Sequence, residues 1–328
     1  MGSALVPDHV RLATPSDVPT IFQLVQELAE YEKLSHEVVG NESLLHDHLF
    51  GDRPYIESFI VEADGDPAGF ALFFQNYSTN VGTPGYYLED LFVRPTYRGR
   101  GLGKALLVAL AQRAADRHFH HLRWSVLDWN APAIAFYQKI GAVISETERL
   151  ARITGQHLEA SNTDVSSSWS IQPVTLKDLS ESSPSTGDAD PSNLRHSILR
   201  HLSEAQYAAL RTAIAAQPPH VEVVMIYDNH HPIGFATFTH SYSTFLTCPG
   251  ITVESIQVLP DYSLLEIQAV LINGLKEIAK NRNCGRLEWL IPHDDAAAIA
   301  QCESLGGTIK STWRICSMNK DAISELAH

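Results

Sequence analysis

The sequence predicts an α+β protein built twice, each half a mostly antiparallel sheet flanked by helices. Three observations lead there. First, shifting the first half by 165 positions lays it on the second without a gap over about 70 residues. Gly69 falls on Gly234, Pro84 on Pro249, Glu89 on Glu254, Trp124 on Trp289 and Gly141 on Gly306. Second, short apolar runs of period two alternate with amphipathic stretches of helical period. Third, 328 residues suit about two ordinary domains. Two copies are too few for a solenoid.

The elements follow in order. Residues 10–13, VRLA, read as a strand. Pro15-Ser16-Asp17 is a helix start, with proline in the first turn and short polar caps. The helix over about 17–32 puts Val18, Ile21, Leu24, Val25 and Leu28 on one face. Strands are expected at about 56–63, 68–77 and 85–94. A helix from about Gly101 turns Leu102, Ala105, Leu106, Ala109 and Leu110 toward the sheet. A strand at 121–127, a helix at 131–140 and a final strand near 143–153 complete the copy. The polar, serine-rich run 159–170 reads as the linker between domains 1–158 and 171–328. The run 180–193, SESSPSTGDADPSN, reads as a surface loop.

Composition narrows the function. Net charge is −14, split as 13 Lys+Arg against 20 Asp+Glu in residues 1–160 and 11 against 18 beyond. Neither half carries the basic field of a nucleic-acid binder, whereas an acidic field concentrates small cations such as free amines. No apolar run approaches the ~18 residues of a membrane span. The opening MGSALVPDHVRL lacks a secretory pattern. Four cysteines, Cys248, Cys284, Cys302 and Cys316, form no CxxC pair, which argues against a zinc site or a disulfide framework. A reducing, cytoplasmic setting is expected. His118, His120 and His121, at a helix–strand turn, read as surface residues rather than metal ligands.

The stretch 94-RPTYRGRGLGKAL-106 carries chemistry. Strand, glycine-rich turn, helix is a general phosphate cradle. Unpaired N–H groups at the helix start and the helix dipole favour an anion there. Gly99, Gly101 and Gly103 let the backbone come close, and Arg98, Arg100 and Lys104 add positive charge. Neither GxGxxG nor GxxxxGK[ST] is present.

With LED at 88–90, RGRGLG at 98–103 and 129-WNAPAIAFYQKIGA-142, residues 9–157 resemble the GNAT superfamily of N-acetyltransferases. Within it they look most like the diamine (spermidine/spermine-type) and thialysine acetyltransferases. Residues 28–34, LAEYEKL, resemble the end of that family's first helix. The resemblance implies tandem GNAT folds and an acetyl-CoA-dependent transfer, in a ternary complex and without metal. The acceptor would be a primary amine of a small cation: a diamine, a polyamine or a basic amino acid. It implies that Arg98, Gly99, Arg100, Gly101, Leu102, Gly103 and Lys104 hold the pyrophosphate, and that the backbone of Leu91, Phe92 and Val93 pairs with the pantetheine arm. Asn130 and Ala133 would line that arm, and Tyr137 would lie beside the thioester sulfur. Glu89 and Asp90 would lie near the acceptor amine, with Tyr31, Glu32, Arg123, Trp124 and Ser125 contacting the substrate. The segment 76–84 lacks the tryptophan that the spermine-binding loop carries near Val81.

The chemistry names the catalytic pair. An alkyl ammonium of pKa about 10.4 is nucleophilic in only about one molecule per thousand near neutral pH. A carboxylate, here Glu89, can bind it and take its proton. A backbone N–H can stabilise the oxyanion, and the resemblance implies one near Phe92 or Val93; Tyr137, which the resemblance puts beside the sulfur, would protonate the leaving thiolate. A protein N-terminal or lysine acetyltransferase and a non-catalytic acetyl-CoA sensor are the alternatives. In the second copy the glycine turn becomes 263-SLLEIQ-268, Tyr137 becomes Cys302 and Asn130 becomes Asp295. That copy reads as a degenerate GNAT-like domain serving as a built-in dimer partner, in a chain that is itself a monomer or homodimer. One acetyl-CoA per chain is expected, held by residues 1–157 alone.

Overall fold

The computed structural model describes residues 9–160, 169–180, 198 and 201–328. Most of the expected linker, 161–168, and nearly all of the expected loop, 181–193, lie outside the described residues.

The first copy runs β1 (Val10–Leu12), α1 (Val18–Glu32), α2 (Glu42–Phe50), β2 (Glu57–Ala63), β3 (Asp66–Ser78), β4 (Thr83–Val93), α3 (Leu102–Asp116), β5 (His121–Leu127), α4 (Ala131–Lys139), β6 (Val143–Ser145) and β7 (Glu148–Thr154). The second copy supplies β8 (Trp169–Val174), β9 (Glu222–Asp228), β10 (His231–Ser243), β11 (Cys248–Val258), β12 (Arg286–Pro292), β13 (Thr308–Lys310) and β14 (Trp313–Asn319). Strands β2 to β7 and β9 to β14 keep the offset of 165 at both ends.

Hydrophobic spacing explains the main helices. Val18, Ile21, Leu24, Val25 and Leu28 of α1 are all buried. So are Leu102, Ala105, Leu106, Ala109 and Leu110 of α3. Helix α2 is absent from the sequence expectation. Its buried residues, Leu45 and Leu49, make too short a stripe to register as a period. Its start is set by Asn41, whose side chain accepts from the Leu44 amide at 3.0 Å.

The two sheets do not divide at the linker. One has the order β1-β2-β3-β4-β5-β14-β6 and the other β13-β7-β12-β11-β10-β9-β8. Each copy's last long strand crosses into the other copy's sheet. Strand β7 pairs antiparallel with β12, and β14 pairs antiparallel with β5. The helix Lys320–Ala327 crosses with β14, so Cys316, Met318, Ile323 and Leu326 are buried in the core around α3. The final strand expected near 143–153 is therefore two strands in two sheets. The turn between β6 and β7 carries the chain across, and nothing in the local hydrophobic pattern marks that choice.

Strands β4 and β5 are the parallel pair of the first sheet. They stay in register only over Tyr86–Leu122, Tyr87–Arg123 and Leu88–Trp124. Beyond Leu88 they part, and a cleft opens between Leu91–Val93 on one side and Ser125–Leu127 on the other.

Candidate active site

A cavity of about 1030 Å³ occupies this cleft and continues to the second copy. Along β4, Leu72 pairs with Asp90 and Phe73 with Leu88, so Glu89 is the extra residue of a β-bulge. In a regular strand neighbouring side chains point to opposite faces. The bulge re-aims them, and Glu89, Asp90, Leu91, Phe92 and Val93 all line the cavity.

The glycine turn forms one end. Gly99 and Gly101 have φ of +77° and +82°, the left-handed region that glycine adopts without strain. A Cβ on either would meet nothing within 4 Å, so backbone conformation rather than crowding selects glycine there. Gly101 caps α3 without a side chain, leaving the first amides of the helix free for an anion. Arg98, Gly99, Leu102, Gly103 and Lys104 line the same end. Arg98 donates from Nε to the Val93 carbonyl at 2.9 Å and lays its guanidinium over the Tyr31 ring, 4.4 Å from the centroid. Arg100 instead points outward and pairs with Asp64 at 2.6 Å. In the second copy the helix starts at Leu264, three residues before the counterpart of Leu102, and the glycine turn is gone. The Ser263 side chain accepts from the Glu266 amide at 3.4 Å, which occupies one of the first amides. These features fit a pyrophosphate in the first copy and not in the second.

Tyr137 stands on α4, which is capped by Asn130. The Asn130 Oδ1 accepts from the Ala133 amide at 3.3 Å and from the Tyr31 hydroxyl at 3.4 Å. Tyr137 is buried edge-on against Trp124, with ring centroids 5.1 Å apart. Burial, with Cys316 and Glu32 nearby, pushes its hydroxyl well above the usual tyrosine range, so it keeps its proton at neutral pH. Trp124 itself is core and does not line the cavity. Ser125 does, and it shares a 2.7 Å hydrogen bond with Tyr87. Arg123 shares Ser125's face of β5 but lies two residues back, where β4 and β5 are still paired, and it pairs with Glu254 at 3.4 Å.

The carboxylates gather opposite the turn. Burial, then Glu89, then Glu37, push Glu32 up to about 7. Asp90 is raised well above its ordinary range by burial and by Glu89. It is 6% exposed, and its Oδ2 has no hydrogen-bond partner among the described residues. Glu89 is raised by burial, which Arg286 partly offsets.

The sequence analysis expected the second copy as a built-in partner but named none of the residues it supplies. Arg286 holds Glu89, and Lys310, Thr312, Trp313 and the turn Ser243–Leu246 line the cavity, beside Arg152 and Thr154 of the first copy's crossing strand β7. Its wall is thus not made of residues 1–157 alone. Val81, where the tryptophan is lacking, is exposed at the β3–β4 turn and lies away from the cavity. Its equivalent at the offset of 165 is Leu246, which lines the cavity. Applying the offset to the 76–84 segment, and treating the second copy as the partner, would have pointed there.

His121 also differs from expectation. It is buried rather than on the surface, its Nε2 lies 3.0 Å from Asn76 Oδ1, and burial lowers it to about 3. No group of three His, Cys, Asp or Glu residues is placed to hold a metal ion among the described residues. No helix among them is long and apolar enough to cross a membrane.

Comparison with known proteins agrees with this geometry. The profile of the acetyltransferase (GNAT) family matches twice, at residues 21–142 and 191–306. An L-ornithine N5-acetyltransferase of Arabidopsis thaliana is 34% identical over 197 residues, covering 46% of this chain and 86% of the relative. A thialysine N-epsilon-acetyltransferase of Bos taurus is 39% identical over 141 residues, covering 40% and 82%. Two solved structures share the fold across nearly the whole chain. A tandem GNAT protein from the clavulanic acid biosynthesis pathway has a TM-score of 0.51 at 14% identity, covering 95% of this chain and 98% of that one. A GCN5-related N-acetyltransferase from Sphaerobacter thermophilus has a TM-score of 0.54 at 15% identity, covering 96% and 97%. With the profile matched in both halves, the chain belongs to the GNAT acetyltransferase family.

Proposed function

We propose that this chain transfers the acetyl group of acetyl-CoA to a primary amine of a small cationic acceptor, within a ternary complex formed in the first copy's cleft. The observation that carries the reading is that one cavity holds the glycine turn, Tyr137 and the carboxylates Glu32, Glu89 and Asp90. Acetyl-CoA, when bound, supplies an activated acyl thioester. The free amides at the start of α3, with Arg98 and Lys104, would hold its pyrophosphate. Arg98 would have to leave the Val93 carbonyl for the arm to pair with β4.

The carboxylates draw in the ammonium. Glu32, raised to about 7, is matched to taking its proton near neutral pH. Glu89 was the first candidate for that step, but both of its oxygens accept from Arg286 at 2.9 Å, which suits it to holding charge near the amine. The freed nitrogen bonds to the acyl carbon and the carbon–sulfur bond breaks. The nitrogen gives up two protons in all, one to Glu32 and one to solvent. One proton reaches the departing sulfur from the Tyr137 hydroxyl, which is then refilled from solvent. The turn Ser243–Leu246 walls the acceptor end, which favours a small acceptor over a polypeptide.

The test is thiol release from acetyl-CoA across diamines, polyamines, basic amino acids, amino sugars and peptides. Release with small basic acceptors is expected. Acetyl-CoA binding without release for any amine would favour a sensor, and release with peptides alone would favour a protein acetyltransferase.

A further inference from the structure

The ionic network of the cavity leaves one cation without a close ion-pair partner among the described residues. Glu89 is bound by Arg286 at 2.9 Å, the Arg286 Nε lies 3.1 Å from Glu288, and Glu288 accepts from the Arg152 Nε at 2.5 Å. Two carboxylates and two guanidiniums thus balance in series. Lys310 stands beside the end of this series. In the pairing of β13 with β7, Thr308 lies opposite Arg152 and Lys310 opposite Leu150. Side chains two apart share a face, so Lys310 and Arg152 point to the same side.

Lys310 lines the cavity, and among the described residues it makes no hydrogen bond or close ion pair. Burial lowers its ammonium, as does Arg152. Glu37, which lines the cavity, and Glu288 are the opposing charges that act on it, neither as an ion pair. Glu32 and Asp90 make no ion pair among the described residues, Arg286 acting on Asp90 without pairing with it. Asp90 is buried with a bare oxygen. The acceptor space is therefore dipolar, negative at Glu32 and Asp90 and positive at Lys310.

A bare diamine would place its second ammonium against Lys310, a like-charge contact that selects against it. A carboxylate there would gain a charge-assisted bond. Taking the proposed acetyl transfer as its basis, we infer that Lys310, a residue of the second copy, binds a carboxylate of the acceptor, which is accordingly an α-amino acid bearing a side-chain amine. The α-ammonium would then face Glu37, and the side-chain amine would face Glu32 and Asp90.

The test uses the full chain with ornithine and its decarboxylated counterpart, 1,4-diaminobutane, comparing kcat/KM. The parent should prefer the amino acid. In Lys310→Met the ratio of the two values should fall at least about tenfold, mainly through KM for the amino acid. Lys310→Arg should keep the preference. A merely structural role would lower both values together and weaken acetyl-CoA binding, and that outcome overturns the proposal. So does a parent that prefers the diamine, or a Lys310→Met ratio within twofold of the parent. Thiol release with neither acceptor, nor with any other amine, overturns the transfer reading and this one with it.

Discussion

Arg286 of the second copy grips Glu89 of the first through both terminal guanidinium nitrogens, at 2.9 Å each, while its Nε faces Glu288 at 3.1 Å. All three side chains are nearly buried. Each half of the chain thus completes an ionic contact that the other half cannot leave unpaired.

Removing that guanidinium should be costly. Arg286→Met leaves two buried carboxylates side by side, and breaking a buried pair from one end costs about 3–5 kcal/mol. Denaturant unfolding should report a loss of that order. Glu89→Gln in the same chain should restore part of it, since the stranded charge is gone. A single variant within about 1 kcal/mol of the parent would mean the pair is solvated.

Gly101 tests the pyrophosphate end. Gly101→Glu introduces a side chain at φ +82° and sets an anion at the helix start. Acetyl-CoA affinity by calorimetry should fall at least about tenfold, or ~1.4 kcal/mol. Gly101→Ala imposes the backbone strain without the charge and should lose less. Unchanged affinity in Gly101→Glu would remove this turn from the cofactor site.

Tyr137→Phe keeps the ring against Trp124 and deletes the proton. Turnover should drop by roughly 10²–10⁴ with acetyl-CoA affinity nearly unchanged. Turnover within twofold of the parent would reduce Tyr137 to packing.

Glu32 makes stability depend on pH. Its carboxyl is raised from 4.5 to about 7. Between those values the folded chain keeps a proton that the unfolded chain has released, so this residue's contribution falls as pH rises from about 4.5 to 7. Glu32→Gln should abolish that decline and stabilise the protein by up to roughly 3 kcal/mol at pH 8. In kcat/KM the inflection near pH 7 should vanish. Parallel stability curves for the two proteins between pH 5 and 8 would contradict the assignment.

A fragment of residues 1–160 lacks β14 and the helix Lys320–Ala327, yet it keeps β7. At the offset of 165, β7 is the counterpart of β14. Two fragments should therefore trade β7 strands, and light scattering should report twice the fragment mass. A stable, active monomer would show the crossing strand to be dispensable.

The first copy's fold was legible because its signals are local. Val18 to Leu28 repeat with helical period, Pro15 marks a start, and Gly99 to Gly103 break the chain where β4 ends. The offset of 165 exposed the duplication for the same reason, since identical elements keep identical spacing. What the sequence hid was how the two halves are partnered, through exchanged strands. Strand β7 has the same apolar pattern whichever sheet it joins, and the choice between β5 and β12 is made by tertiary contacts alone. Arg286, Lys310 and Leu246 went unseen with it. Each is an ordinary strand or turn residue until the second sheet is laid beside the first. Arg123 is the reverse case: it shares a face of β5 with Ser125, which suggested substrate, but it lies two residues back from the cleft, where β4 and β5 are still paired, and is held by Glu254.

The crossing of β7 and β14 also changes how evolution can act on the two halves. In a dimer of identical chains every substitution appears twice, so a change that improves one wall of a site also alters the other chain's site. Within one chain the symmetry is broken covalently. The turn at 263–268 can do without glycines while 98–103 has them, and Leu246 can differ from Val81. Tethering also fixes the effective concentration of one half for the other. The completed cleft is then a property of each molecule, and dilution cannot take it apart.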